Sequence, residues 1–219
     1  MIKYCIFDLD GTLLNTIRSI TYYLNNTLAE EGIAPITEEE CKIFIGDGAK
    51  KLVCRALLSK GITSEELNMR VLAKYNAAYD NDPYYLTEPY PGITELIDEL
   101  RTRGYVLGVL SNKPDSTAVS VVKRFFGESF ELIAGGREGV ALKPAPDATL
   151  DMLRDMGGTP ETLAFIGDTA VDITTGKNAG AALTVGVLWG FRTREELEGA
   201  GTDVIAESAR DVLEAVKKI

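Results

Sequence analysis

The stretch from residue 5 to residue 14, CIFDLDGTLL, joins an apolar run to two closely spaced carboxylates. The apolar residues are typical of a buried strand, and Asp8 and Asp10 follow with only Leu9 between them. Two carboxylates about 4 Å apart repel each other by roughly 4 kcal/mol at an effective dielectric constant near 20. The pair at the end of a core strand therefore indicates a site that holds a cation.

The remainder of the chain predicts the sheet to which this strand belongs. Short apolar runs typical of strands occur at 2–8, 105–110, 163–166, 183–188 and 203–206. Helical spacing occupies the stretches at 92–103, 115–126, 146–156, 169–179 and 208–218. Strands that alternate with helices favour βαβ units and a parallel sheet with helices on both faces. The predicted fold class is α/β, with a Rossmann-like core.

Residues 16–80 interrupt this alternation, because their apolar spacing is helical with no clear strand between the helices. The residues Asn81-Asp82-Pro83 are typical of a turn, and the proline indicates the end of the helical pattern. We therefore expect residues 1–15 and 83–219 to form the α/β catalytic core. Residues 16–82 are expected to form an inserted helical cap domain.

Composition excludes several classes of function. The formal net charge of the 219-residue chain is -10, which argues against nucleic-acid and anionic-membrane partners. The chain has no histidine, so Ser-His-Asp and Cys-His mechanisms and histidine-bound zinc are excluded. No window of about 18 apolar residues suggests a membrane span, and we expect a cytoplasmic protein.

Further polar residues stand where the other predicted strands end. They are Ser111-Asn112, Lys143-Pro144, Asp168 and Asp172. Each alone is compatible with a structural role as a turn, a helix cap or a solvated charge. Ligands of an open α/β sheet bind beyond the carboxyl ends of its strands, however, so we expect these residues to meet in one crevice.

Competing motifs fail on their spacing. A calcium loop counted from Asp8 needs glycine where Leu13 stands. A phosphate loop at Lys177 lacks the Ser or Thr that must follow its lysine. The Gly46-Asp47-Gly48 stretch has no preceding strand in a βαβ unit, so a loop between two helices is the better interpretation.

The surviving residues form a chemically complete phosphate site. Carboxylates at Asp8, Asp10 and Asp168 make an oxygen donor set that suits Mg²⁺. Lys143 adds positive charge, and the hydroxyl of Ser111 with loop N–H groups beside Asn112 and Gly11 can hold a phosphate.

The two aspartates of the first motif then take different roles. Ionised Asp8 can attack phosphorus and form an aspartyl-phosphate without a separate base. Asp10 can give a proton to the leaving alkoxide and afterwards activate the water that hydrolyses the intermediate. The predicted catalytic residues are Asp8, Asp10 and Lys143.

These motifs resemble those of the haloacid dehalogenase superfamily of aspartate-nucleophile phosphatases. They stand here as Asp8-Leu9-Asp10-Gly11-Thr12-Leu13, Ser111-Asn112, Lys143-Pro144, and Gly167-Asp168-Thr169 with Asp172. The resemblance implies that Asp10 ligates Mg²⁺ through its carbonyl group and that Ser111 and Asn112 contact the phosphate. It also implies that Lys143 steadies the nucleophile and the phosphate, that Asp168 ligates Mg²⁺, and that Asp172 lies in a supporting shell of the metal site.

Within the superfamily, residues 187–203 are similar to the phosphoglycolate phosphatases. We therefore expect a Mg²⁺-dependent phosphomonoesterase acting on a small phosphorylated metabolite, with 2-phosphoglycolate the first choice. Inorganic pyrophosphatase and nucleotide or sugar phosphatase remain alternatives, because those hydrolases share much of this stretch. A catalytically idle sensor of a phosphorylated ligand is an alternative from another class, although such a protein has no need of Asp10.

Substrate specificity is expected to lie in the helical insert. Gly48 and Lys50, with Lys51 beside them, are the candidates for contacting the organic part of the substrate. The alternative is that these lysines are simply solvated on a helix. The oligomeric state is expected to be a monomer or a homodimer.

Overall fold

The computed structural model describes residues 1–218 and divides the chain into two compact units. One unit joins Met1–Asn15 to the segment that begins at Pro89, and the other is Thr16–Glu88. The sequence placed the return to the core at residue 83, whereas contacts within the structure keep residues up to Glu88 with the helical unit. That this unit serves as a cap stays a prediction.

Eight strands are assigned in the described residues. In chain order they are β1 (Tyr4–Phe7), β2 (Leu14–Asn15), β3 (Glu88–Pro89), β4 (Val106–Pro114), β5 (Leu132–Gly136), β6 (Leu163–Gly167), β7 (Leu183–Val187) and β8 (Val204–Ala206). Six of them form a parallel sheet in the order β5-β4-β1-β6-β7-β8, and β2 pairs with β3 in a separate short sheet. The predicted α/β class is confirmed.

Ten α-helices are assigned in the same range. They are α1 (Ile17–Glu30), α2 (Glu38–Phe44), α3 (Ala49–Ser59), α4 (Glu65–Asn81), α5 (Ile93–Thr102), α6 (Asp115–Phe126), α7 (Asp147–Asp155), α8 (Ala170–Asn178), α9 (Arg194–Gly199) and α10 (Ala209–Lys217). The first four belong to the Thr16–Glu88 unit, as the helical spacing predicts. Within residues 1–218, none of these helices combines the length and apolar character that crossing a membrane requires.

The centre of the sheet explains the apolar runs of the sequence. Strand β1 lies between β4 and β6, and its residues Cys5, Ile6 and Phe7 are fully buried. A strand in a parallel sheet is covered on both faces, so its sequence is continuously apolar and does not alternate. Phe165 of β6 and Leu153 of α7 pack with Ile6 in the same core cluster.

The register of the sheet brings the polar strand ends together. Phe7, the last residue of β1, lies beside Val109 of β4 and Ile166 of β6. Asp8 and Asp168 therefore leave the same edge of the sheet, one strand apart. This is the edge at which an open parallel sheet binds its ligands.

Candidate active site

A buried lysine links two of the predicted aspartates. The Nζ atom of Lys143 lies 2.7 Å from Oδ1 of Asp8 and 2.6 Å from Oδ1 of Asp172, and all three residues are buried. Burial alone lowers the pKa of a lysine, but the two carboxylates outweigh it and hold the pKa of Lys143 above its ordinary value. Lys143 therefore stays charged beside the predicted nucleophile.

Asn112 holds the backbone that carries Lys143. Its Nδ2 donates to the carbonyl oxygen of Lys143 at 3.2 Å, and the amide of Lys143 donates to Asn112 Oδ1 at 2.9 Å. The side chain of Asn112 thus positions the lysine, and a contact of this residue with phosphate stays a prediction for its backbone. The Ser111 hydroxyl is buried and accepts from the amide of Lys113 at 3.2 Å, which leaves its own proton to donate.

Asp168 is a fully buried carboxylate that follows β6. Its oxygens accept hydrogen bonds from Thr12 Oγ1 at 2.9 Å and from the amide of Phe191 at 2.8 Å. No cationic side chain among residues 1–218 pairs with it. Burial, followed by repulsion from Asp172 and Asp8, raises the pKa of Asp168 well above its ordinary value.

Two glycines leave room for the Asp168 side chain. A Cβ atom built at Gly11 or at Gly190 would come under 3.0 Å from its carboxylate group. Gly11 also has a φ of 92°, a conformation that favours glycine. The indole Nε1 of Trp189 donates to the carbonyl oxygen of Thr12 at 3.0 Å, so the loop with Gly190 is fastened to the first motif.

Asp172 has a different environment. It is the third residue of α8, and its Oδ2 accepts from the Thr169 amide at 3.0 Å and from Thr169 Oγ1 at 2.7 Å in a capping box. Its Oδ1 accepts from Lys143, so its charge is already paired. This arrangement suits the supporting role that the resemblance implies, which stays a prediction.

Asp10 points its carboxylate to a second lysine. Its two oxygens lie 3.1 Å and 3.0 Å from Nζ of Lys113. The sequence places Lys113 directly after Ser111-Asn112 at the end of a predicted strand, but we predicted no catalytic or binding role for it. That position in the Ser-Asn-Lys stretch was the one available signal for it.

The charges of the site fit a divalent cation. Ligand oxygens of Asp8, Asp168 and Asp172 lie within 4.8 Å of one another. With Asp10 included, the site contains four carboxylates and the two ammonium groups of Lys113 and Lys143, which leaves two negative charges when all are ionised. Burial, then repulsion from Asp172, raises the pKa of Asp8 to about 7 despite Lys143. A bound cation would relieve this repulsion, and the all-oxygen donor set suits Mg²⁺.

The two predicted residues of the helical insert lie in the Thr16–Glu88 unit. Gly48 has a φ of 88° and directly precedes α3, and the structure confirms that its loop joins two helices. Lys50 is exposed, and no acidic side chain of residues 1–218 forms an ion pair with it. Lys51 instead pairs with Asp47 at 3.3 Å. The substrate contacts of Gly48 and Lys50 stay predictions.

Comparison with known proteins identifies the family. The haloacid dehalogenase-like hydrolase family matches residues 5–185. The phosphoglycolate phosphatase of Rhodospirillum rubrum is 33% identical over 207 residues, which are 92% of this chain and 85% of that protein. The phosphoglycolate phosphatase of Cereibacter sphaeroides is 36% identical over 180 residues, or 80% of each chain. A crystal structure of a Lactobacillus delbrueckii subsp. bulgaricus protein matches with a TM-score of 0.93 and 32% identity over 98% of both chains.

The buried carboxylates at the edge of a parallel sheet are thus those of a hydrolase. The chain belongs to the haloacid dehalogenase-like hydrolase family. Its activity class is that of a phosphatase.

Proposed function

We propose that this phosphatase hydrolyses 2-phosphoglycolate in a Mg²⁺-dependent reaction with an aspartyl-phosphate intermediate on Asp8. The observation that carries the proposal is the buried contact of Asp8 with Lys143 at 2.7 Å, next to Asp168, which has no cationic partner in the described range. Asp8 is held by an ammonium group and lies next to a further carboxylate. This arrangement suits a site that binds a cation together with a phosphate group.

Asp8 is the nucleophile in this proposal. One of its oxygens forms a bond to phosphorus while the bond from phosphorus to the leaving oxygen breaks. The positive charge of Lys143 stabilises the reacting groups, because its Nζ contacts Asp8 and can also face the oxygens of the incoming phosphoryl group. Asn112 keeps that lysine in place through its two hydrogen bonds to the Lys143 backbone.

Asp10 carries the protons in both halves of the reaction. In the first half, its proton goes to the leaving alkoxide. In the second half, the resulting carboxylate takes a proton from the water that attacks phosphorus, while the bond from phosphorus to Asp8 breaks and restores the Asp8 carboxylate. Its carboxylate is held by Lys113, whereas Asp8 and Asp172 are held by Lys143. The separate partners of Asp8 and Asp10 support two different roles.

Asp8 and Asp168 would hold Mg²⁺ with their carboxylates, Asp10 would hold it through its carbonyl oxygen, and Asp172 would support the shell. When bound, Mg²⁺ supplies positive charge that offsets the repulsion of the carboxylates and of the phosphate. Thr12 and the Phe191 amide orient Asp168 for this purpose. In metal sites, a carboxylate that binds the metal typically also accepts hydrogen bonds from neighbouring groups, which orient it.

The choice of 2-phosphoglycolate rests on the relatives. Several relatives named phosphoglycolate phosphatase are at least 30% identical to this chain over most of its length. We infer the same substrate for this chain. From the composition we also infer a cytoplasmic enzyme without nucleic-acid or membrane partners. A monomer or a homodimer is the expected oligomeric state.

A substrate panel tests the proposed activity. The purified chain is assayed with Mg²⁺ against 2-phosphoglycolate, pyrophosphate, a nucleoside monophosphate and a sugar phosphate, and compared by kcat/KM. The highest value is expected for 2-phosphoglycolate, and EDTA is expected to abolish turnover. A higher value for another compound would reassign the substrate, and no turnover of any compound would favour a phosphate-binding sensor.

The intermediate is tested separately at Asp8. Borohydride reduction during turnover should trap a modified Asp8, detectable by peptide mass spectrometry. Asp8→Asn keeps the size of the side chain but removes the nucleophile, so we expect no turnover and no trapped product. Measurable turnover by Asp8→Asn would contradict the covalent mechanism, even if the substrate assignment held.

A further inference from the structure

Lys113 is a buried lysine to which the predicted chemistry gives no role. Its side chain is 6% exposed, and Nζ contacts both oxygens of Asp10. Lysine is seldom buried unless it is paired, because its charge loses solvation. Asp10 is 15% exposed, and among residues 1–218 Lys113 is the one side chain that binds its carboxylate.

The backbone fixes where Lys113 can reach. The pairing of β4 with β5 shifts register between Leu110 and Pro114, and such irregularities redirect side chains next to active sites. The Lys113 amide donates to Ser111 Oγ. A Cβ at Gly135 would come under 3.0 Å from the Lys113 carbonyl oxygen, so β5 can approach this segment only where it has no side chain.

The two buried lysines divide the aspartates of the first motif between them. Lys143 contacts Asp8, whereas Lys113 contacts Asp10. A carboxylate that handles a proton must lie within hydrogen-bond reach of the atom that receives it. An aspartate has two rotatable side-chain bonds, and a partner at both oxygens restricts them.

We propose that Lys113 is a positioning residue for the acid/base Asp10. Its ammonium group holds the carboxylate in the orientation from which a proton reaches the leaving alkoxide. A protonated Asp10 still has lone pairs that accept from Lys113, so the contact survives the proton transfer. This inference rests on the role of Asp10 in the proposed function.

The dependence of rate on the leaving group tests the proposal. Alkyl alkoxides need a proton to leave, whereas p-nitrophenolate leaves without one. For Lys113→Met, kcat/KM for 2-phosphoglycolate is expected to fall about 10- to 100-fold, which is less than the roughly 10²- to 10⁴-fold of losing acid/base catalysis outright, because the Asp10 carboxylate remains. For p-nitrophenyl phosphate the expected fall is less than about 3-fold, since kcat/KM reports the steps up to phosphoryl transfer.

Two further variants isolate the contact with Asp10. In an Asp10→Asn background, Lys113→Met should have little additional effect, because residues that act through one another are not additive. Lys113→Arg keeps a charged donor and should recover part of the alkyl-phosphate activity. Lys177→Met is the control, since its Nζ also pairs with an aspartate, Asp203 at 2.7 Å, but on the exposed surface.

The outcomes separate this inference from the proposed function. Wild-type protein without activity on either compound would contradict the proposed function. If the wild type is active, Lys113→Met could instead lower kcat/KM by the same factor for both compounds, or raise KM for both. Either result would overturn the positioning role and indicate that Lys113 binds substrate. If Lys113→Met does not fold, Lys113→Gln is measured in its place against the same criteria.

Discussion

The ammonium group of Lys143 lies 2.7 Å from the carboxylate of Asp8 in a buried environment. Lys143→Met removes the charge and keeps most of the volume of the side chain. We expect kcat/KM to fall by about 10²- to 10⁴-fold, because a preorganised positive charge stabilises the transition state. Steady-state kinetics with 2-phosphoglycolate provide the measurement.

Lys143→Met also leaves Asp8 and Asp172 facing each other without a cation. Removing one partner of a buried ion pair costs about 3 to 5 kcal/mol. The metal-free variant should therefore unfold at a lower denaturant concentration than the metal-free wild type at pH 8. Lys177→Met, on the exposed surface, is the control and should lose no more than about 1 kcal/mol. Wild-type activity in the Lys143 variant would rule out its assigned role.

Gly190 provides a test of the space around Asp168. A Cβ there would come under 3.0 Å from the buried Asp168 side chain, which two hydrogen bonds hold in place. Gly190→Ala should therefore lower the free energy of unfolding by about 1 to 3 kcal/mol. It should also raise the Mg²⁺ concentration that gives half-maximal thermal stabilisation, measured by Tm.

Gly199 is the matched control for this substitution. It ends α9, and a Cβ there would meet nothing within 4 Å. Gly199→Ala should be neutral or add up to about 1 kcal/mol, because alanine favours helix more than glycine does. Equal effects of the two substitutions would show that the Gly190 loop does not constrain Asp168.

The sheet and the nucleophile strand could be predicted from the sequence because their signal is local. Buried parallel strands are continuously apolar, and β1 follows this rule. Helix α6 matches its predicted bounds of 115–126. Helix α4 lies within the predicted helical stretch except for its last residue, Asn81, where a turn was predicted. The Gly46-Asp47-Gly48 stretch joins two helices, as predicted.

The contacts that orient the site residues could not be predicted in the same way. The Phe191 amide binds Asp168 through the backbone, and any non-proline residue could supply that donor. The resemblance implied that Asn112 contacts the phosphate, but that its side chain binds the Lys143 backbone depends on the fold. Lys113 reaches Asp10 because β4 continues to Pro114 with an irregular register, which local apolar pattern does not report.

The buried carboxylates predict how stability depends on pH. The pKa of Asp8 is raised from 3.8 to about 7 in the folded protein, so the folded state binds this proton more tightly than the unfolded state. The free energy of unfolding of metal-free protein should therefore decrease as pH rises from about 4 to 7. The raised pKa of Asp168 acts in the same direction.

Mg²⁺ should reverse this trend, since it competes with protons for the same carboxylates. We expect Mg²⁺ to raise Tm more at pH 8 than at pH 5.5, measured by differential scanning calorimetry in Mg²⁺ and in EDTA. In Asp8→Asn, the fall of stability with pH should become shallower. A Tm that is independent of Mg²⁺ at pH 8 would contradict the assigned metal site.

Lys50 and Lys51 offer a matched test of the predicted specificity residues. Both are exposed lysines on α3, but Lys51 pairs with Asp47 whereas Lys50 has no acidic partner in the described part of the chain. If Lys50 contacts the carboxylate of 2-phosphoglycolate, Lys50→Ala should raise KM for this substrate about 10-fold, the factor that corresponds to about 1.4 kcal/mol. KM for p-nitrophenyl phosphate, which lacks that carboxylate, should stay within about 2-fold, and Lys51→Ala should change neither value by more than this. Equal shifts in KM for both compounds, or a larger effect of Lys51→Ala, would show that Lys50 does not read the organic part of the substrate.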